Sequence, residues 1–220
     1  MSTIQTRADQ MLDENGFLGV PRETFEAGGR AQFVRLMQHG LLPESRVLEI
    51  GCGCLRVAYW LTRFLDSGCY AGIEPAHRRV ELGRRHLFAP GELEAKSPRF
   101  DHNAEFATGV FETQFDYFLA GSIWTHCSKA HIRTMLEGFL RWTPPGGIFL
   151  TSYLPAESPE QDYMGGTWVG TSHESDVPGV IRHSLAWIEA ECALRGLSLE
   201  ELPGLDCDSQ LWLRIERRSA

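Results

Sequence analysis

Two glycines and two acidic side chains form the part of this sequence that could bind a small ligand. Gly51 and Gly53 follow the short apolar run Val47-Leu48-Glu49-Ile50 and precede a helical pattern. Because glycine has no Cβ, such a turn lets a ligand approach the backbone, and the start of a helix offers free N–H groups. Glu74 ends a second apolar run 23 positions after Gly51, where an acidic side chain can accept hydrogen bonds from a ribose diol. The pattern predicts a nucleoside ligand.

Two other interpretations of this segment exist. Gly51 and Gly53 could form a plain turn, with Glu74 a solvated strand end, but the register of Glu49 and Glu74 within a strand–helix–strand unit favours the ligand site. A dinucleotide fingerprint would need the pattern G-x-G-x-x-G, and position 56 is Arg. NAD and FAD are therefore disfavoured.

The elements that must position these residues alternate along the chain. A helix within 21–40 precedes the first strand, and further helices are predicted over 55–65, 77–87, 131–142 and 184–194. The predicted strands are 46–50, 69–74, 99–102, 115–120, 147–153, 197–202 and 210–216. The alternation predicts a Rossmann-like, doubly wound α/β fold with a mostly parallel sheet.

The domain organisation follows from length and from one irregular segment. The 220 residues predict a single domain over 1–220, with an N-terminal helical cap over 1–44. The stretch 155–178 is rich in Gly, Ser, Pro and aromatic residues without a clear period, and long irregular loops in compact domains are usually functional or disordered. We predict a loop over 155–183 that covers the substrate, with Tyr163, Met164 and Trp168 as its apolar surface.

Several segments together resemble the class I S-adenosylmethionine-dependent methyltransferases, from about residue 25 to residue 217. Leu48-Glu49-Ile50-Gly51-Cys52-Gly53 is similar to the glycine-rich first motif of that family, and Ile73-Glu74-Pro75 to its second motif. Residues 115–122 resemble the fourth motif, and Thr143-Pro144-Pro145-Gly146-Gly147 the turn before the fifth strand. The resemblance implies a sheet of about seven strands with an antiparallel last strand, and S-adenosyl-L-methionine as cofactor.

The resemblance also implies which residues hold this cofactor. Glu49 and the turn residues would hold the methionine part, Glu74 the ribose hydroxyls, and Asn103 the adenine amino group. Arg30 could pair with the methionine carboxylate, with Arg56 as its rival. The full cofactor-binding set is Arg30, Glu49, Gly51, Cys52, Gly53, Glu74, Pro75, Asn103 and Gly121.

The catalytic residues are less well defined, because methyl transfer is an in-line displacement for which the cofactor brings its own leaving group. If the acceptor is a hydroxyl, a neutral histidine could take its proton. His126 follows the fourth strand, near the expected position of the methyl group, although it could instead organise the start of the next helix with Thr125 and Ser128. His173 is a second candidate, and Asp162, Tyr163 and Glu174 of the covering loop could also reach a substrate, although polar loop residues are more often simply solvated.

Charge and composition restrict the partners. The net charge is −8 and no run of Lys and Arg could neutralise phosphates, so we expect a small-molecule acceptor and no nucleic acid. The first residues lack the apolar core of a signal peptide and no stretch could cross a bilayer, which predicts cytoplasmic residence, no membrane and reduced cysteines. No metal site is expected. The alternatives are a non-catalytic S-adenosylmethionine- or nucleoside-binding domain and, less favoured, a nicotinamide-dependent oxidoreductase.

Overall fold

The computed structural model describes residues 4–16, 22–170, 179–204 and 209–217. The chain divides into two compact units, Met1–His102 and Asn103–Ala220. The first unit contains helices α1 (Ile4–Asn15), α2 (Phe25–Gln38), α3 (Ala58–Phe64) and α4 (His77–Leu87), and strands β1 (Val47–Ile50), β2 (Tyr70–Ile73) and β3 (Arg99–Asp101). The second contains strands β4 (Tyr117–Ala120), β5 (Ile148–Tyr153), β6 (Leu197–Leu202) and β7 (Leu211–Arg217), and helices α5 (Lys129–Trp142) and α6 (Leu185–Leu194). The expectation of one domain over 1–220 with a cap over 1–44 stays a prediction.

The strands form one seven-stranded sheet in the order β3-β2-β1-β4-β5-β7-β6. The pairs β1–β2, β2–β3 and β4–β5 are parallel, whereas β7 runs antiparallel to both β5 and β6. Strands β1, β2, β4 and β5 are buried throughout, as expected for parallel strands covered by helices on both faces. The predicted doubly wound fold with an antiparallel last strand is confirmed.

Two helices differ from the sequence prediction. Helix α3 begins at Ala58 rather than at position 55, because Leu55 has a φ of 63°, a left-handed conformation that a right-handed helix does not contain. Helix α1 lies within the predicted 1–44 cap, for which the sequence pattern predicts no separate helix at this position. Its buried residues Ile4, Ala8 and Met11 are spaced four and three apart, and the helix contacts α4.

Aromatic side chains hold β4 in the core of the second unit. The ring of Phe118 lies 5.4 Å from that of Phe139 on α5 and 5.8 Å from that of Phe149 on β5. Trp124, which is fully buried, packs edge-on against Phe149 at 5.9 Å. Such edge-to-face pairs are favourable beyond the area they bury. They fix the end of β4, from which the candidate His126 follows.

Two further properties concern the described part of the chain alone. No helix in it is both long enough and apolar enough to span a membrane. None of its cysteines forms a disulfide. Cytoplasmic residence stays a prediction.

Candidate functional site

The turn after β1 depends on glycine. Gly51 has a φ of +75° and Gly53 a φ of +52°, values that side chains with a Cβ rarely adopt. The N–H groups of Gly51 and Cys52 both donate to the carbonyl of Ile73, at 2.7 and 3.1 Å, which ties the turn to the end of β2. A Cβ added at Gly53 would meet nothing within 4 Å. The turn therefore keeps its backbone fixed while leaving space beside Gly53.

Two glycines outside the motif bring helices close to this turn. A Cβ at Gly29 on α2 would lie 2.6 Å from the carbonyl oxygen of Arg56, and one at Gly83 on α4 would lie 2.5 Å from that of Cys54. Both helices therefore pack directly on the backbone that follows the turn. The sequence pattern did not single out these two residues. The available signal was a glycine within a helical pattern, because such a glycine costs stability and usually has a packing reason.

Glu74 directly follows β2, and both of its carboxyl oxygens accept hydrogen bonds from the backbone. Its Oε2 accepts from the N–H of Gly53 at 2.9 Å, and its Oε1 accepts from the N–H of Ala76 at 3.0 Å. Burial raises the pKa of Glu74, against the lowering effect of these two bonds and of Arg79. Each carboxylate oxygen has a further lone pair for a ribose hydroxyl. The ribose contact of Glu74 and the place of Pro75 in the cofactor-binding set stay predictions.

Glu49 lies on β1, two residues before Gly51, and is 4% exposed. The hydroxyl of Tyr70 donates to its Oε2 at 2.7 Å. Burial, with a smaller contribution from the charge of Glu74, raises the pKa of Glu49 to about 8 despite the hydrogen bond from Tyr70 and the charge of Arg56. Burial also raises the pKa of the Cys52 thiol, which excludes a thiolate nucleophile at neutral pH.

The other predicted cofactor residues differ in exposure. Arg30 points outward from α2 and is exposed, whereas Arg56 is 8% exposed and its charge acts on Glu49. Burial makes Arg56 the stronger partner for a sheltered carboxylate. Asn103 closes a turn, since its Oδ1 accepts from the N–H of Ala107 at 2.7 Å. The assignments of Arg30, Asn103 and Gly121 stay predictions.

A ring of hydrogen bonds follows β4 in the second unit. The N–H of Ser122 donates to Oγ of Ser152 at 2.7 Å, Ser152 donates to Oε1 of Gln210 at 2.7 Å, and Nε2 of Gln210 donates to Oγ of Ser122 at 2.9 Å. Ser122 has a φ of 61°, a strained conformation that occurs often at functional sites. Sequence reasoning missed Ser152 and Gln210, because three separate segments meet here.

His126 is fixed by the covering loop. Its Nδ1 lies 2.8 Å from the carbonyl oxygen of Val169, and the N–H of Val169 donates to the carbonyl of His126 at 2.9 Å. A carbonyl oxygen can only accept, so Nδ1 carries the proton and the neutral ring has its lone pair on Nε2. A Cβ at Gly170 would lie 2.5 Å from Nδ1. Gly170 is therefore needed for this contact.

Two other residues of the covering loop, Asp162 and Tyr163, form hydrogen bonds that stabilise the conformation of the loop. Asp162 accepts from Nζ of Lys129 at 2.6 Å and from the N–H of Ser184 at 3.0 Å. Burial alone would raise the pKa of Asp162, but these two bonds and the charge of Lys129 outweigh it and lower the pKa. The hydroxyl of Tyr163 donates to the carbonyl of Thr167 at 3.0 Å. Both side chains thus have structural partners, and the interpretation of 155–183 as a substrate cover stays a prediction.

The structure places the remaining predicted residues as follows. His173 and Glu174 lie outside the described residues. Trp168 packs against the rings of Phe106 and His131 at 4.6 and 4.9 Å. Ser128 is the N-cap residue of α5. Across residues 4–16, 22–170, 179–204 and 209–217, no group of three or more His, Cys, Asp or Glu side chains is arranged to hold a metal ion.

No protein-family model matches the sequence, but solved structures share its architecture. Magnesium protoporphyrin IX methyltransferase (ChlM) from Synechocystis PCC 6803 with bound S-adenosylmethionine is 13% identical, with 99% of each chain covered and a TM-score of 0.63. The glycopeptide N-methyltransferase MtfA with S-adenosyl-L-methionine is 14% identical over 86% of this chain and 94% of that one, with a TM-score of 0.62. The chain has the class I S-adenosylmethionine-dependent methyltransferase fold. The YcgJ protein from Bacillus subtilis is similar in structure at 15% identity over 86% of this chain and 100% of that one, with a TM-score of 0.61.

Proposed function

We propose that this protein transfers a methyl group from S-adenosyl-L-methionine to a small-molecule acceptor. The observation that carries the proposal is that the turn after β1 is hydrogen-bonded to the end of β2 and to Glu74. There Gly51 and Cys52 bond the end of β2, and the Glu74 carboxylate accepts from the N–H of Gly53. Four residues that the sequence assigns to one ligand, Gly51, Cys52, Gly53 and Glu74, therefore lie together within a methyltransferase fold.

The residues proposed to hold the cofactor supply binding and orientation rather than covalent chemistry. When bound, S-adenosylmethionine supplies the methyl group and its leaving group. Glu74 would accept hydrogen bonds from the ribose hydroxyls, and Gly51 and Gly53 would allow the ligand to approach the backbone. Arg56 would pair with the methionine carboxylate in preference to Arg30, because Arg56 is buried and a sheltered carboxylate needs a cation close to it.

We further propose His126 as the base for an acceptor hydroxyl. The Val169 carbonyl holds the proton on Nδ1, so the neutral ring can accept a proton at Nε2. His126→Asn preserves a donor toward Val169 but removes the base. We expect turnover to fall by about 10²-fold or more with unchanged S-adenosylhomocysteine affinity. Equal turnover in the variant and the wild type would exclude this role.

A small-molecule acceptor is proposed because the net charge of −8 disfavours phosphate backbones. The test supplies methyl-labelled S-adenosylmethionine together with separate pools of metabolites, protein and RNA. We expect label in the metabolite pool with the wild type and none with Gly51→Val. Cofactor binding without transfer to any pool would indicate a non-catalytic binding domain, and binding of NAD in place of S-adenosylmethionine would indicate an oxidoreductase.

A further inference from the structure

The hydrogen-bonded ring of Ser122, Ser152 and Gln210 lies at the carboxyl ends of β4 and β5. Ser122 is the second residue after β4, Ser152 lies near the end of β5, and Gln210 immediately precedes β7. In open α/β sheets, ligands bind beyond the carboxyl ends of the parallel strands. Ser152 and Gln210 are 0% and 6% exposed, whereas Ser122 is partly exposed. The ring therefore presents one hydroxyl group at the edge of the sheet where ligands bind.

Burial determines how the Gln210 amide is oriented. Ser152 is fully buried, so its O–H group needs an acceptor within the protein. Oε1 of Gln210 is that acceptor, at 2.7 Å. An amide rotated by half a turn would place Nε2 against Ser152 and remove this acceptor, because an amide NH₂ group only donates. Nε2 of Gln210 therefore faces Ser122.

The direction of these bonds leaves the hydrogen of the Ser122 hydroxyl group available. Oγ of Ser122 accepts from Nε2 of Gln210 at 2.9 Å, and a hydroxyl group can donate one hydrogen bond as well as accept. Among the residues that the structure describes, none accepts this hydrogen. The Ser122 hydroxyl is thus held by the ring on its acceptor side and can donate to a bound molecule.

The same turn presents an acceptor next to this donor. Ser122 and His126 are the two residues of 122–129 that are not buried. The N–H of His126 donates to the carbonyl of Ile123 at 3.0 Å, and Oγ1 of Thr125 donates to the carbonyl of Ser122 at 2.9 Å, so one compact turn holds both side chains. His126 has its lone pair on Nε2, because its Nδ1 hydrogen is directed at a carbonyl oxygen.

We propose that Ser122 and His126 together select a hydroxyl oxygen as the atom that is methylated, with Ser152 and Gln210 as positioning residues. This inference rests on the proposed function. A hydroxyl oxygen has one hydrogen and two lone pairs. Its hydrogen bonds Nε2 of His126, one lone pair accepts from Ser122, and the second lone pair remains for the methyl group.

The bonds and charges of this step balance. The second lone pair of the oxygen forms the new bond to the methyl carbon, and the electron pair of the broken carbon–sulfur bond stays on sulfur. The hydrogen of the acceptor hydroxyl group moves as a proton to Nε2 of His126, which later releases it to solvent. The Ser122 hydroxyl keeps its own hydrogen throughout.

Nitrogen and sulfur acceptors fit this pair less well. A neutral amine nitrogen has one lone pair, so a nitrogen that accepts from Ser122 has none left for the methyl group. Sulfur accepts hydrogen bonds only weakly, so a thiol gains little from the Ser122 donor. The ring therefore favours a hydroxyl acceptor over an amine or a thiol.

The linkage in the product is the direct test. The wild type is incubated with a metabolite extract and S-adenosylmethionine that has an isotopically labelled methyl carbon. Nuclear magnetic resonance of the products distinguishes O-methyl, N-methyl and S-methyl carbons by their chemical shifts. We expect O-methyl products. Mainly N-methyl or S-methyl products would overturn this inference and leave the proposed function intact, whereas no labelled product would overturn the proposed function itself.

Two variants test the Ser122 donor. Ser122→Ala keeps a Cβ at the φ of 61° and removes the hydroxyl group. We expect the rate of label transfer to fall about tenfold, the effect of one hydrogen bond, with unchanged S-adenosylhomocysteine affinity. Gln210→Glu, when ionised, accepts from both serines, so it turns the Ser122 hydrogen into the ring and should cause a similar loss.

The control and the double variant separate this role from general damage to the fold. Thr151→Val removes a fully buried hydroxyl group next to Ser152, whose bond goes to the Ala120 carbonyl at 3.1 Å. We expect the wild-type rate in this control. Ser122→Ala combined with Gln210→Glu should be no slower than the slower single variant, because both changes remove the same donor.

Two further outcomes would overturn the inference. These are a wild-type rate in folded Ser122→Ala, and a double variant in which the two losses multiply. Circular dichroism checks the folding of each variant. If Ser122→Ala or Gln210→Glu does not fold, the linkage in the product of the wild type decides the matter.

Discussion

Glu49 and Asp162 are two acidic side chains with little exposure to water, and their pKa values shift in opposite directions. Asp162, in the covering loop, has Lys129 at 2.6 Å and the N–H of Ser184 at 3.0 Å, which together lower its pKa. Glu49, at the end of β1, has a neutral donor in Tyr70 and only partial compensation from Arg56, so burial raises its pKa.

Asp162 is an ionised acid held by Lys129, whereas Glu49 is a buried acid that keeps its proton. A buried carboxylate with its own lysine is already satisfied, and removing either partner leaves a buried charge. A buried carboxyl group without such a partner keeps its proton and gains most from an incoming cation. Perturbed acids of this second kind cluster at functional sites, and this one lies on β1, two residues before Gly51 of the predicted ligand turn.

The largest expected effect is on the ligand turn itself. Gly51→Val should abolish cofactor binding, because a β-branched side chain resists a φ of +75° and fills the space for the ligand. Gly196→Val is the matched control, since Gly196 has a φ of +67° and open space around it. Calorimetry with S-adenosylhomocysteine, with circular dichroism as a check of folding, measures both. Unchanged affinity in folded Gly51→Val would remove the basis for the ligand turn.

The next effect concerns stability and pH at Glu49. Its folded pKa of about 8 lies above the ordinary value of 4.5, so the folded state binds the extra proton, and this stabilisation is lost as pH rises from 4.5 to 8. The slope reaches about 1.4 kcal/mol per pH unit. Glu49→Gln should lack this loss, so its free energy of unfolding should fall less than that of the wild type across the window. Parallel curves in urea denaturation would contradict the buried neutral acid.

The sequence predicts the turn around Gly51 better than it predicts the contacts of Glu49 and Asp162, and the reason is physical. The strand–turn–strand around Gly51 is local, so the periodicity of apolar residues and two glycines were enough to predict it, and the strands alternating with helices predicted the sheet. The Tyr70–Glu49 bond depends on the register of two strands, and the Lys129–Asp162 pair joins residues 33 positions apart. Such contacts are fixed by tertiary packing, which no local pattern in one sequence reports.

Loss of the Asp162–Lys129 ion pair should lower the stability of the protein without weakening cofactor binding. Asp162→Asn should lower the free energy of unfolding by about 2–3 kcal/mol, because it leaves Lys129 nearly buried without a counter-charge. Cofactor affinity should stay within about twofold. Glu160→Gln, on the exposed surface of the same loop, is the control and should change stability by about 0.5 kcal/mol or less.

The pH dependence at Asp162 has the opposite sign to that at Glu49. The folded pKa is lowered from 3.8, so the stabilisation is complete above that value and is lost as pH falls through the folded pKa. Acid unfolding of the wild type and of Asp162→Asn should therefore converge at low pH. A constant difference between the two proteins down to low pH would contradict the ion pair.

The smallest effect is expected at Glu74. Glu74→Ala should weaken S-adenosylmethionine by about 1.5–3 kcal/mol, the range for hydrogen bonds to a charged group, while the fold survives. The affinity for a cofactor analogue without ribose hydroxyls should be nearly the same in the variant and the wild type. An equal loss for that analogue would show that Glu74 acts through the turn, by way of Gly53, and not on the ribose.

The central claim is that the Gly51 turn and its two acids bind a methyl-donor nucleoside rather than a dinucleotide. Side-by-side calorimetric titration of the wild-type chain with S-adenosylmethionine, S-adenosylhomocysteine and NAD tests it directly. We expect saturable binding of both S-adenosyl compounds, loss of both in Gly51→Val, and no heat from NAD. Binding of NAD in preference to S-adenosylhomocysteine, or no binding of either S-adenosyl compound by the folded wild type, would contradict the account.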